Sequence, residues 1–204
     1  IIFCKKIMII FIFYRMEINF QGFFIIALLI IFVYLLYQYH YHSKIEKIVS
    51  TIDNRDYEVQ IKEDAQEAAN LIALIRKNLE LLVKHLIKSY SGDDRIQRLK
   101  ENFKPDNIRE GIDDPKYTSY SINKGEQIVL CLRTNNKLMD INTMMFVVLH
   151  ELAHICTISI GHTKEFWTNF KWILEESINI GIYKEIYKSV CVCECMHVCV
   201  CVCI

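Results

Sequence analysis

The sequence predicts an α+β fold, mainly helical, preceded by a transmembrane helix. Three observations predict it. A charge-free apolar run extends from Phe20 to Tyr37. Apolar residues recur at helical spacing from Glu63 to Tyr90, and a second apolar helix covers Met144 to Ile155. Between those helices, two β-prone runs flank Lys124-Gly125 in the pattern of a hairpin. The 204 residues allow one domain of ordinary size plus appendages. A formal net charge of zero gives no electrostatic footprint for nucleic acid.

Taken in order, residues 1–19 form an N-terminal extension, apolar from Ile1 to Tyr14 apart from Lys5 and Lys6, in which Met8 or Met16 could start the chain. Residues 20–39 read as a membrane anchor. Phe20 to Tyr37 is about long enough, as a helix, to cross a ~30 Å hydrocarbon core. Tyr34, Tyr37, Tyr39 and Tyr41 suit the membrane–water interface at its end. A cleaved signal peptide would show a small-x-small site after the run, and none follows. A core helix this apolar would have to be buried all round. Counted from Met16, the positive charges Lys44 and Lys47 follow the span, which favours a single-pass protein with a cytosolic domain. Counting Lys5, Lys6 and Arg15 weakens or reverses that bias.

Residues 40–62 read as a linker, polar from Ser43 to Gln60. Along Glu63 to Tyr90, Ala65, Ala68, Leu71, Ile72, Ile75, Leu79, Leu82, Val83, Leu86 and Ile87 make one apolar stripe, with charges opposite. Ser91-Gly92-Asp93-Asp94 breaks this helix, and Asp94 is the expected cap of a short one, Arg95 to Glu101. Pro105, Gly111 and Pro115 mark an irregular connection. The hairpin strands are Tyr117 to Asn123 and Glu126 to Leu132. Asp140 or Asn142 caps the next helix, and Thr163 caps another that runs to Ile180 and ends at Gly181. On that last helix Phe166, Trp167, Phe170, Ile173 and Leu174 read as core.

Chemistry concentrates in His150-Glu151-Leu152-Ala153-His154. Two histidines four apart on a helix lie on one face, one turn above the other. Their nitrogens can converge on one tetrahedral Zn2+ at about 2.0–2.1 Å. Glu151, turned about 100° from His150, falls beside the metal, where a carboxylate can move a proton from water to a leaving amine. This is the H-E-x-x-H pattern of zinc peptidases. Three ionisable groups on an otherwise apolar helix would be costly without a shared partner. His162 offers a third ligand after Gly161, leaving the fourth position open, as in a catalytic site. Glu175 and Glu176 are the alternative third ligands, placed downstream as in Glu-type zinc peptidases.

With Gly161-His162-Thr163-Lys164-Glu165-Phe166-Trp167 added, the chain resembles the WLM metallopeptidases, relatives of the SprT/Spartan proteases. The shared pattern is HELAH, a short connection, then a third His followed by Phe-Trp. The resemblance is closest to small membrane-anchored WLM-like proteins of large DNA viruses. It covers roughly Asp64 to Tyr183, and residues 63–185 are accordingly read as the peptidase domain. It implies a zincin-like domain with the hairpin beside the active-site helix, His150, His154 and His162 as zinc ligands, Glu151 as general base, and protein or peptide substrates. Relatives act on proteins crosslinked to DNA, a role the neutral charge of this chain does not support. Ile155 to Gly161 is two residues longer than the usual connection in the family. The opposing functional class is a membrane-anchored, non-catalytic module with structural zinc, against which an intact Glu151 argues.

Residues 186–204 are a low-complexity tail of alternating Val and Cys, the product expected of a GTGTGT repeat. A metal-binding tract with His197 is the functional alternative, but strict alternation gives no C-x-x-C spacing. Six cysteines fall in this tail and only Cys4, Cys131 and Cys156 before it, so the globular part is no disulfide framework.

Overall fold

A computed structural model describes residues 20–42, 44–112 and 119–185. The N-terminal extension, the Val/Cys tail and the first residues of the expected strand at Tyr117 lie outside them. The chain divides into two units, Ile1–Lys44 and Ile45–Ile204.

In the first unit, helix α1 spans Phe20–His42. Within it Gly22–Tyr39 is long and apolar enough to cross a membrane. From Phe23 to Tyr37 its large apolar side chains are not covered within this unit.

The second unit begins with a correction. Ser43 to Gln60, expected as a polar linker, carries an antiparallel hairpin of β1 (Ile45–Val49) and β2 (Asp56–Gln60), paired Ile45 to Gln60 through Val49 to Asp56. Alternation decides the outcome: Tyr57 and Val59 are buried while Asp56 stays outside. Lys47, Asp56 and Glu58, which help make this stretch look like a linker, lie on the opposite face.

Helix α2 (Ala65–Ser89) follows and buries the expected stripe, including Ile72, Ile75, Leu79, Leu82 and Leu86. Each such side chain contributes about 1.5–3 kcal/mol by leaving water. Arg76 is buried in the same row because Asp53 and Glu80 pair with it at 3.1 and 2.8 Å. Helix α3 (Asp94–Asn102) starts one residue earlier than expected, and its cap is Asp93, whose carboxylate accepts from the Arg95 amide at 2.8 Å. After a 3-10 turn at Pro105–Asn107, the connection expected to be irregular contains β3 (Ile108–Glu110).

The expected hairpin is present as β4 (Tyr120–Ile122) and β5 (Gln127–Leu130). The sheet order is β3-β5-β4, with β3 parallel and β4 antiparallel to β5. A small ribbon, β6 (Arg133–Thr134) and β7 (Lys137–Leu138), turns through Asn135 and Asn136, both at positive φ. Asparagine tolerates that region, which two-residue hairpin turns require. Helices α4 (Ile141–Cys156) and α5 (Lys164–Asn179) complete the domain. Met144, Met145, Val148, Leu149 and Leu152 of α4 join α2 and Phe166, Phe170 and Ile173 of α5 in one core.

Candidate active site

Helix α4 starts where Asp140 accepts hydrogen bonds from the amides of Asn142 and Thr143 at 2.9 and 3.0 Å. That cap, together with an interior free of Gly and Pro, sets the phase in which His150 and His154 face one way. The far end of the helix would leave carbonyls without partners. Two of them are met here: Thr157 donates its hydroxyl to the Ala153 carbonyl at 2.7 Å, and Arg98 donates to the Cys156 carbonyl at 2.7 Å. Cys156 is fully buried and its thiol points back to Ala153, away from the histidines, as its helix position predicts.

Beyond the loop, Thr163 caps α5 by accepting from the Phe166 amide at 3.3 Å. His162 precedes this cap, and its Nε2 lies 3.0 Å from His150 Nε2. His150, His154 and His162 are, among the described residues, a group whose ligand atoms all lie within 4.8 Å of one another. Phe166, fully buried, packs against all three rings at centroid distances of 4.8, 4.3 and 4.8 Å. Phe170 and Trp167 flank His150 and His162. The aromatics expected as core are therefore core on one side and the wall of the histidine cluster on the other.

Whether this cluster suits a metal can be tested on its geometry. Two nitrogens bound tetrahedrally at 2.0–2.1 Å sit about 3.3–3.4 Å apart, and the His150–His162 separation is 3.0 Å. Burial, then the neighbouring histidines, push His150 down to about 3. Burial and His162 push His154 down to about 4, with Lys124 adding to the effect. Both rings are thus neutral near pH 7, the form that ligates metal. The residues fit a zinc ion.

Glu151 is buried beside this group, on the side of the sheet edge. Burial raises its carboxyl to about 7, while hydrogen bonds from the side chain and backbone of Ser121 on β4 pull the other way. A carboxyl near neutrality can both accept and return a proton. Ser121 was not legible as a site residue, since nothing in a short polar strand marks which serine will meet the acid.

The downstream glutamates lie elsewhere. Glu176 accepts from His85 at 2.7 Å and from Tyr90 at 2.6 Å, joining α5 to α2. Glu175 faces Lys171 on the surface at 4.0 Å. Neither reaches the histidine pair.

Known proteins similar to this chain include protein R325 of Acanthamoeba polyphaga mimivirus, 34% identical over 169 residues, 79% of this chain and 86% of that protein. Protein 136R of Invertebrate iridescent virus 6 is 38% identical over 71 residues, 33% of this chain and 39% of that one. The crystal structure of Wss1 from Saccharomyces cerevisiae is similar at 25% identity and a TM-score of 0.46, covering 60% of this chain and 85% of its own. The family model for the WLM domain matches residues 50–190, a span that runs from before β2 through the whole histidine cluster, and the chain belongs to the WLM domain family.

Proposed function

We propose that this protein is a zinc metallopeptidase with a zincin-like domain, tethered to a membrane by α1, that hydrolyses peptide bonds in protein substrates. The observation that carries the reading is the convergence of three histidine nitrogens beside a buried glutamate. His150, His154 and His162 would hold Zn2+, leaving the fourth position for the reaction. When bound, Zn2+ supplies Lewis acidity that polarises the scissile carbonyl and brings the pKa of water toward ~7.

Everything else falls to the chain. Glu151 takes a proton from the attacking water and delivers it to the leaving nitrogen. Ser121 holds that carboxylate through its amide and hydroxyl. Phe166 and Phe170 fix the imidazole planes and exclude water from their rear. Strand β4 is at the edge of its sheet, where an extended substrate can pair. Counted from Met16, Lys44 and Lys47 after the span favour a cytosolic domain.

The test is the full chain in detergent, assayed for bound zinc and for cleavage of an unfolded protein. One zinc per chain and measurable cleavage are expected. Glu151→Gln should keep zinc and fold while losing on the order of 10²–10⁴-fold in rate. Equal rates for the two zinc-loaded proteins would reject Glu151 as the base. A zinc-loaded wild type that cleaves no polypeptide, with or without DNA, would leave the non-catalytic module as the better reading.

A further inference from the structure

The loop that brings His162 to the site has almost no apolar anchor. It runs from Thr157 to His162, between the last residue of α4 and the cap of α5. Thr157 is buried, but Ile158 is 67% and Ile160 89% exposed. Gly161, at φ +81°, has nothing near the place where a Cβ would stand. A ligand must nonetheless be held within about 0.5 Å of its working position. Apolar packing reaches the loop at its far end only, where Phe166 and Trp167 meet the His162 ring, so the stretch from Ile158 to Gly161 depends on polar contacts.

Those contacts come from two sides. The Lys124 ammonium donates to the Thr157 carbonyl at 3.0 Å and to the Ile158 carbonyl at 2.5 Å. The Glu165 carboxylate accepts from the Ile158 amide at 3.1 Å, the Ser159 amide at 3.2 Å and the Ser159 hydroxyl at 2.8 Å. Ile158 is thus gripped at its carbonyl by a cation and at its N–H by an anion. The Ser159 hydroxyl also lies 2.6 Å from that of Thr163. Lys124 is itself set firmly: a Cβ on neighbouring Gly125 would come within 2.8 Å of the Asn102 carbonyl and of Ile155 Cδ1. The turn is therefore wedged against α3 and α4, and Lys124 reaches the loop from a fixed base.

We infer that Lys124 and Glu165 are positioning residues that clamp the Thr157–His162 loop and so hold His162 where it can ligate the metal. The inference rests on the zinc reading above and adds the device that secures the third ligand. Both side chains are exposed, so their charges are screened and charge alone gives little. The effect lies in directional bonds to backbone groups that have no helix or strand to satisfy them. Contacts one shell beyond a metal ligand typically change metal affinity by about 10–100-fold.

The experiment uses the full chain in detergent, with Zn2+ affinity read by competition against a chromophoric chelator. The visible spectrum of the Co2+ form reports how many ligands remain. Lys124→Met and Glu165→Gln, which bond the loop and not His162 itself, should each bind Zn2+ about 10-fold more weakly, the low end of that range. Their Co2+ spectra should move toward that of His162→Ala, and Lys124→Arg should restore both readouts. Lys104→Met is the matched control: it strips a lysine donor from the Glu101 carbonyl at the end of α3, away from the loop, and should leave affinity and spectrum as in wild type. Clamp variants with wild-type affinity and spectrum would overturn the inference. So would an equal loss in Lys104→Met, which would mark a general effect of a damaged helix end. A wild type that binds neither metal would instead sink the zinc reading itself.

Discussion

Glu110→Ala should be among the most damaging single changes outside the histidine cluster. Glu110 is fully buried on β3, and its carboxylate accepts from the Gln60 amide at 2.8 Å and the Gln60 side chain at 3.2 Å. It also pairs with Arg133, only 3% exposed, which in turn reaches Asp64 at 2.5 Å. Four elements meet at this node: the end of β2, the residue before α2, β3 and β6. Truncating Glu110 removes the buried carboxylate that pairs with the Arg133 guanidinium and that accepts from the Gln60 amide. Removing one partner of a buried ion pair costs about 3–5 kcal/mol. Total stability for a domain of this kind is roughly 5–15 kcal/mol.

Urea unfolding of the unit that begins at Ile45, followed by circular dichroism, measures the effect. With a slope of about 2 kcal/mol per molar urea, the midpoint should fall by roughly 1.5–2.5 M. Joint replacement of Glu110 and Arg133 by methionine should recover most of the loss, because an apolar pair of similar volume avoids burying charge. A loss under about 1 kcal/mol for Glu110→Ala would refute the reasoning. So would a double variant no more stable than the single one.

Two further outcomes are expected. Asp140→Ala removes the cap of α4 and should cost about 1 kcal/mol, or roughly 3 °C in Tm. The hydrogen bond from Thr143 holds the Asp140 carboxyl below its ordinary 3.8, against the opposing effect of burial. A depressed carboxyl stabilises above its unfolded pKa and loses that contribution as pH falls through the folded one. The gap between wild type and Asp140→Ala should therefore be full at pH 7 and close below about pH 3.8; a gap that persists in acid would mean the cap does not act through the carboxylate. For the anchor, the chain should resist carbonate extraction from membranes, and deletion of residues 20–39 should release it, whereas intact chain in the soluble fraction would contradict a spanning α1.

Features set by near neighbours were legible in the sequence. The i, i+4 spacing of His150 and His154 and the cap at Asp140 each follow from a few consecutive residues, and each is present. So is the hairpin around Lys124-Gly125, whose turn needs positive φ. What was not legible depends on distant partners. β3 is three residues long and exists because Ile108 to Glu110 align with Ile128 to Leu130. The hairpin at 45–60 was read as a linker because Lys47, Glu58 and their neighbours mask the buried pair Tyr57 and Val59. Asp93 in place of Asp94 as a cap is the ordinary one-residue uncertainty of a helix end. Ser121, Lys124 and Glu165 carry no local mark at all, since each acts on a group far away or on a backbone atom.

The third histidine stands between these two cases. The two extra residues in its connection, counted against the family pattern, leave open whether His162 can reach the pair. Helix α4 continues through Cys156, two residues past His154, which takes up part of the length without moving either histidine. The rest forms the turn at Ile158 to Gly161, where Ile158 and Ile160 point to solvent and no apolar packing has to be rebuilt. His162 then sits immediately before the Thr163 cap, so the start of α5 sets its place from the far side. Because α5 begins there, Phe166 comes one turn later and lands on all three imidazoles. The same phase turns Glu176 toward His85 and Tyr90 on α2. One helix start thus decides both questions: it delivers His162 to the cluster and commits the competing glutamate to the packing of α5 on α2.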